Sequence, residues 1–150
     1  MRVNPDVDAK THPYISTGLA ENTFGIAYRD ARDAYLEAMR FPHLAVLGID
    51  CHIVSPLFDD APLLAALDRL IDLIDRLDDD GIEIQHIDLG GGLGISYGNE
   101  SAGVKPPAPA EYLARVFAHI DAWRAARHDG KPLVVMCDPG RALLCYAGVH

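Results

Sequence analysis

The chain has 150 residues, 49% of them hydrophobic and 23% charged, which is enough apolar surface for one core and more than a chain disordered by composition carries. A net charge of −9 argues against nucleic acid and anionic membrane surfaces as partners, because both would repel it. Cys51, Cys137 and Cys145 lack C-x-x-C spacing and fit reduced thiols better than a disulfide framework or a zinc site, so the cytoplasm is the expected compartment. The opening Met1-Arg-Val-Asn-Pro5 turns polar at once, and no apolar run approaches the length of a membrane span.

In chain order, residues 2–4 read as a short first strand. Ala31, Ala34, Tyr35 and Ala38 share one side of a helix over 30–40, which Pro42 breaks. A strand is expected over 44–51. Next comes the clearest helix, with Leu63, Leu67, Leu70, Ile71, Ile74 and Leu77 at intervals of three and four; Asp60 and Pro62 suit its start and Gly81 its stop. The alternating run over 82–89 predicts a strand. Residues 98–109 read as a surface loop, followed by a helix from Glu111 with Leu113, Val116, Phe117 and Ile120 on its apolar face and Gly130 beyond its end. A strand over 133–137 completes the order β-α-β-α-β-α-β.

Alternation of this kind implies parallel strands joined by right-handed crossovers, in an open doubly wound sheet or in part of a (β/α)₈ TIM barrel. A barrel collects function at the carboxyl ends of all its strands, whereas an open sheet concentrates it at a switch point. Here His52 and Ser55 follow the second strand, Gly90, Gly91 and Gly92 the third, and Asp138-Pro139-Gly140-Arg141 the fourth. Equipment at three successive strand ends favours the barrel.

The glycine triplet leaves consecutive peptide units bare, so main-chain N–H groups can hold a phosphate without a lysine. A plain turn explains the same residues. A dinucleotide fingerprint does not: in G-x-G-x-x-G, Ile95 or Tyr97 occupies the last glycine position, depending on register. Three further residues also have simpler explanations: His52 as a polar strand cap, Ser55 as turn chemistry and Arg141 as a surface ion pair.

Taken together, residues 3–18, Glu21-Asn22, Phe24-Gly25, residues 48–53 with Ser55, residues 88–94 and Pro139-Gly140-Arg141 resemble the bacterial diaminopimelate decarboxylases, of the alanine-racemase-like pyridoxal-phosphate enzymes. The Lys10 to Gly18 segment points to that branch rather than to ornithine or arginine decarboxylases, which share the Gly triplet and Pro-Gly-Arg. The resemblance implies a barrel domain with a separate β domain, acting as a homodimer on an amino-acid substrate. It implies pyridoxal 5′-phosphate as cofactor, and conversion of meso-diaminopimelate to L-lysine and carbon dioxide in the last step of lysine biosynthesis. It would set His52 flat against the cofactor ring and Ser55, Gly90, Gly91 and Gly92 on its phosphate. Asp138 would face the ring nitrogen within the cofactor-binding run Asp138 to Arg141. Arg141 would take phosphate or a substrate carboxylate, where a planar fork meets two oxygens.

Against the family pattern, no catalytic residue falls in this span. Lys131 precedes a strand and faces the wrong end of a barrel, Lys105 lies among prolines, and Lys10 belongs to the family's own segment without being its cofactor lysine. The chain reads as the second half of a barrel, residues 1–150, without the upstream half or the downstream β domain. Asp138 stands where the family has Glu, which retracts the carboxylate by about 1.5 Å. Val54 replaces a glycine, Pro56 a glutamine and Thr23 a lysine. The expectation is a decarboxylase segment inactive alone. The alternatives are an ornithine- or arginine-type decarboxylase fragment, a non-catalytic partner-binding relative, and a gene remnant whose bare apolar sheet face would aggregate.

Overall fold

A computed structural model describes residues 1–7, 24–53, 61–96, 106–127, 130–145 and 147. The elements in order are β1 (Val3–Asn4), β2 (Ile26–Ala27), α1 (Tyr28–Ala38), β3 (Gly48–Asp50), α2 (Ala61–Asp79), β4 (His86–Asp88), α3 (Pro109–Arg127), β5 (Val134–Met136) and α4 (Gly140–Leu144). The expected alternation holds, with the short elements β2 and α4 added. The strands are shorter than their apolar runs, because ladder pairing to β4 begins only at Gly48 and leaves Leu44 and Leu47 exposed.

Every strand pair is parallel. β3, β4 and β5 form one sheet, with Gly48, His86 and Val134 in register at its start and Asp50, Asp88 and Met136 at its end. β1 pairs with β2, and Arg2 bridges to Asp50. The bridge sets β1 beside β3 and gives the spatial order β2-β1-β3-β4-β5. The barrel is not closed here.

Side-chain alternation divides this layer into two faces. Ile49, Cys51, Ile53, Ile87 and Leu89 are buried in the core with Leu63, Leu67, Leu70, Leu73, Ile74 and Leu77 of α2. Each such leucine contributes about 1.5–3 kcal/mol on burial. From α3 the buried residues are Tyr112, Val116 and Ile120, at intervals of four. Phe117, expected on that face, is 44% exposed; it lies one residue beyond the stripe and turns about 100° off it. The opposite face carries Gly48, Asp50, His52, His86, Asp88, Val134 and Met136 and lines part of a cleft of ≈ 380 Å³. It is therefore mixed rather than apolar, with charge on β3 and β4 and exposed apolar groups on β5.

Capping and ion pairs fix the helices around the sheet. α2 stops where the Gly81 N–H donates to the Asp78 carbonyl at 2.9 Å and the Ile82 N–H to the Leu77 carbonyl at 2.8 Å, with Gly81 at φ +79° satisfying the last turn. Arg32 of α1 grips Asp80 through two 2.6 Å hydrogen bonds. Tyr35 donates to the Gly48 carbonyl at 2.9 Å. Between α2 and α3, Arg127 binds Asp75 and Asp78, and Lys131 donates to Asp78 at 2.6 Å. Among the described residues, no helix is long and apolar enough to cross a membrane.

Candidate functional site

Parallel pairing carries the carboxyl ends of β3, β4 and β5 to one edge of the sheet, and with them His52, the glycine run and Asp138 to Arg141. The glycine loop is wedged between its neighbours. A Cβ on Gly90 would lie 2.6 Å from His52 Nδ1 and 2.7 Å from the Cys51 carbonyl oxygen, and one on Gly91 would lie 2.2 Å from the Asp138 carbonyl oxygen. Gly90 also sits at φ +66°. Both glycines are thus required by the close approach of backbone on either side.

Hydrogen bonds tie the three strand ends together. The Asp138 N–H donates to the Gly90 carbonyl at 2.8 Å, the Gly90 N–H to Asp88 Oδ1 at 2.8 Å, and the Gly91 N–H to His52 Nδ1 at 3.1 Å. Two of the three glycine amides expected to serve an anion therefore already have protein acceptors. Because Nδ1 accepts, it carries no hydrogen, and a neutral His52 holds its proton on Nε2. Arg2 donates to the His52 carbonyl at 3.3 Å. Burial, then the charge of Arg2, push the His52 imidazole below the ordinary histidine value, while Asp50, Asp138 and Asp88 pull upward.

Below this rim, Asp50 and Asp88 are register partners on the uncovered face. Burial first, and Asp88 second, raise the Asp50 carboxyl above its ordinary range; Arg2 offsets part of this. On the covered face, burial drives the Cys51 thiol up to about 12 and raises Cys137 as well, which makes both poor nucleophiles. Cys51 is buried and unbridged, as are the partly buried Cys137 and Cys145. Behind the loop lies an apolar cavity of ≈ 190 Å³ lined by Leu93, Tyr112, Leu113 and Ala142 among others.

The structure thus brings His52, Gly90, Gly91 and Asp138 into one contact set. Gly92 follows in the same loop, and Pro139, Gly140 and Arg141 lead into α4, where Arg141 is exposed. Ser55 lies outside the described residues, as do Thr23, Val54, Pro56, Lys10 and Lys105. Lys131 is at the opposite end of β5, bound to Asp78. Sequence reasoning did not single out Arg2, Asp50 or Asp88 as site residues. The signal was present in the spacing: Asp50 ends β3 and His52 follows two residues on, which the period-two alternation of an extended run sets on one face.

A parallel β/α layer that gathers a glycine loop and a histidine at its carboxyl edge has the arrangement in which such layers collect their ligand-binding groups. The family described as pyridoxal-dependent decarboxylase, pyridoxal binding domain, matches residues 1–145. The chain is 52% identical over 149 residues to a diaminopimelate decarboxylase from Pseudomonas fluorescens and 48% identical to one from Pseudomonas aeruginosa, in each case over 99% of this chain and 33% of the relative. Among solved structures, diaminopimelate decarboxylase from Helicobacter pylori complexed with L-lysine superposes with a TM-score of 0.79 at 35% identity, covering 94% of this chain and 33% of that one. This chain belongs to the pyridoxal-dependent decarboxylases, a family of lyases acting on amino acids, through the pyridoxal-binding domain. It spans about a third of the length of the curated relatives it matches.

Proposed function

We propose that this chain forms the phosphate-binding side of a diaminopimelate decarboxylase barrel, the second half of a (β/α)₈ domain, and that it is inactive by itself. The observation carrying this reading is the contact set at the strand ends, in which the glycine loop is packed between His52 and Asp138. The donor chemistry suits the cofactor's phosphate: the main-chain amides of Gly91 and Gly92 and the guanidinium of Arg141, with Ser55 added by the family resemblance, while Gly90, whose amide donates to Asp88, shapes the loop. His52 supplies a flat imidazole for the ring, and Asp138 a carboxylate for the ring nitrogen. Pyridoxal phosphate, when bound, provides the electron sink that stabilises the carbanion left by loss of carbon dioxide.

The chain's own residues orient and hold. The hydrogen bond from Gly91 fixes the His52 ring, and the one from Asp138 to Gly90 holds the loop against β5. What the chain lacks is a lysine at this rim among its described residues, since Lys131 is engaged at the far end. The substrate would be meso-diaminopimelate and the products L-lysine and carbon dioxide. The reading carries with it a cytoplasmic homodimer.

Titration with pyridoxal phosphate, followed by absorbance, tests the site. Weak binding that inorganic phosphate competes away is expected, and no spectral change at high cofactor concentration would refute it. Purified chain given meso-diaminopimelate should form no lysine; turnover without an added polypeptide overturns the claim of inactivity. The departures from the family motifs at Thr23, Val54, Pro56 and Asp138 favour a second reading, a non-catalytic relative that binds a decarboxylase subunit. Retention of a full-length diaminopimelate decarboxylase on the immobilised chain supports that, and its free passage counts against it.

A further inference from the structure

The Gly91 N–H is aimed at His52 Nδ1, 3.1 Å away, and it is also one of the donors that the proposed function assigns to an anion. We propose that His52 is a positioning residue for the glycine loop and that its imidazole competes with a bound anion for the Gly91 amide, coupling His52 protonation to anion binding. The inference rests on the anion-site reading given above.

A neutral imidazole holds the amide through the lone pair of Nδ1, so an anion taking that N–H must displace it. A protonated imidazole has a hydrogen on Nδ1, releases the amide and adds a positive charge beside the loop. Gly90 does not share in this exchange, because its N–H donates to the Asp88 carboxylate. The charged groups facing His52 come from every neighbouring strand: Arg2 beside β1, Asp50 on β3, Asp88 on β4 and Asp138 beyond β5. Arg2 also holds the His52 carbonyl, which keeps the ring's anchor in place while the ring changes partner.

Coupling of this kind is reciprocal. If one ordinary hydrogen bond is exchanged, the anion binds about fivefold more tightly to the protonated form, and its binding raises the His52 pKa by the matching amount. Sulfate is the probe, since its charge stays constant from neutrality to mild acid. Backbone amide and imidazole resonances of the isotope-labelled 150-residue chain provide the readout. Acidification without sulfate should move the Gly91 amide along the His52 titration. In His52→Gln, which accepts but does not titrate, that movement should vanish and sulfate affinity should be flat with pH. His52→Ala should bind sulfate about fivefold more tightly than the natural chain at neutral pH, because its Gly91 amide is released.

A charge effect alone predicts no such gain. Equal or weaker sulfate binding by His52→Ala at neutral pH overturns the competition and leaves the anion site standing. A Gly91 amide that still follows pH in His52→Gln overturns it too, without relying on the alanine variant. No sulfate binding by any of the three proteins overturns the anion site, and the competition with it.

Discussion

Replacing Gly91 with alanine separates the two reasons for which a glycine is needed. The added Cβ would lie 2.2 Å from the Asp138 carbonyl oxygen, where carbon and oxygen require roughly 3.3 Å. About 1 Å of movement is needed, and it must come from backbone on one side or the other. Drawing β5 away breaks the 2.8 Å hydrogen bond from Asp138 to Gly90, a loss of about 1 kcal/mol. Residual overpacking adds about 1–3 kcal/mol, so Gly91→Ala should cost about 2–4 kcal/mol. Gly81 has φ +79° and nothing within 4 Å of its added Cβ, so Gly81→Ala should cost only the conformational penalty of about 1–2 kcal/mol. Gly140 has neither constraint, and Gly140→Ala should stay within about 0.5 kcal/mol. Urea unfolding followed by Trp123 fluorescence reads all three. With a slope near 2 kcal/mol/M, the Gly91 variant's midpoint should fall by about 1–2 M. A midpoint for Gly91→Ala no lower than that for Gly140→Ala would refute the packing of the loop against Asp138.

Asp78 is held below the ordinary carboxylate range by the hydrogen bond from Lys131, with Arg127 assisting. A depressed folded-state value contributes stability above the unfolded pKa that is lost as pH falls through the folded one. Asp78→Asn should therefore lower stability modestly at neutral pH, and the difference should fade as pH drops through the depressed folded-state value of Asp78, as melting curves across pH will reveal. Asp50 has the opposite sign, since burial and Asp88 raise it: its ionisation costs stability as pH rises. Asp50→Asn should melt higher than the natural chain at neutral pH and no differently in acid, and a lower neutral melting temperature would count against the carboxylate pairing. Leu70, fully buried on α2, should cost about 2–5 kcal/mol when changed to alanine; denaturant unfolding giving less than 1 kcal/mol on the order of a surface change would remove it from the core.

Periodicity was sufficient for α2, where leucines three and four apart have one buried face, and alternation was sufficient for the strand that carries Ile87. Chain order also located the rim: once strands are parallel, whatever follows each carboxyl end shares an edge, so the meeting of His52, Gly91 and Asp138 was legible. The short strand β2, the turn of helix α4 and the outward position of Phe117 were not. Two residues of strand carry no period of their own, and which flank of α3 meets α2 is decided by the packing of both helices together. Nor did local pattern reveal how the glycines are used. That His52 Nδ1 takes the Gly91 amide, and that the Asp138 carbonyl leaves no room beside Gly91, follow from contacts between segments dozens of residues apart. Local sequence determines which residues can lie at a strand's end. Only the pairing of strands decides which groups then meet, because hydrogen bonding and close packing depend on ångström-scale positions that distant parts of the chain set together.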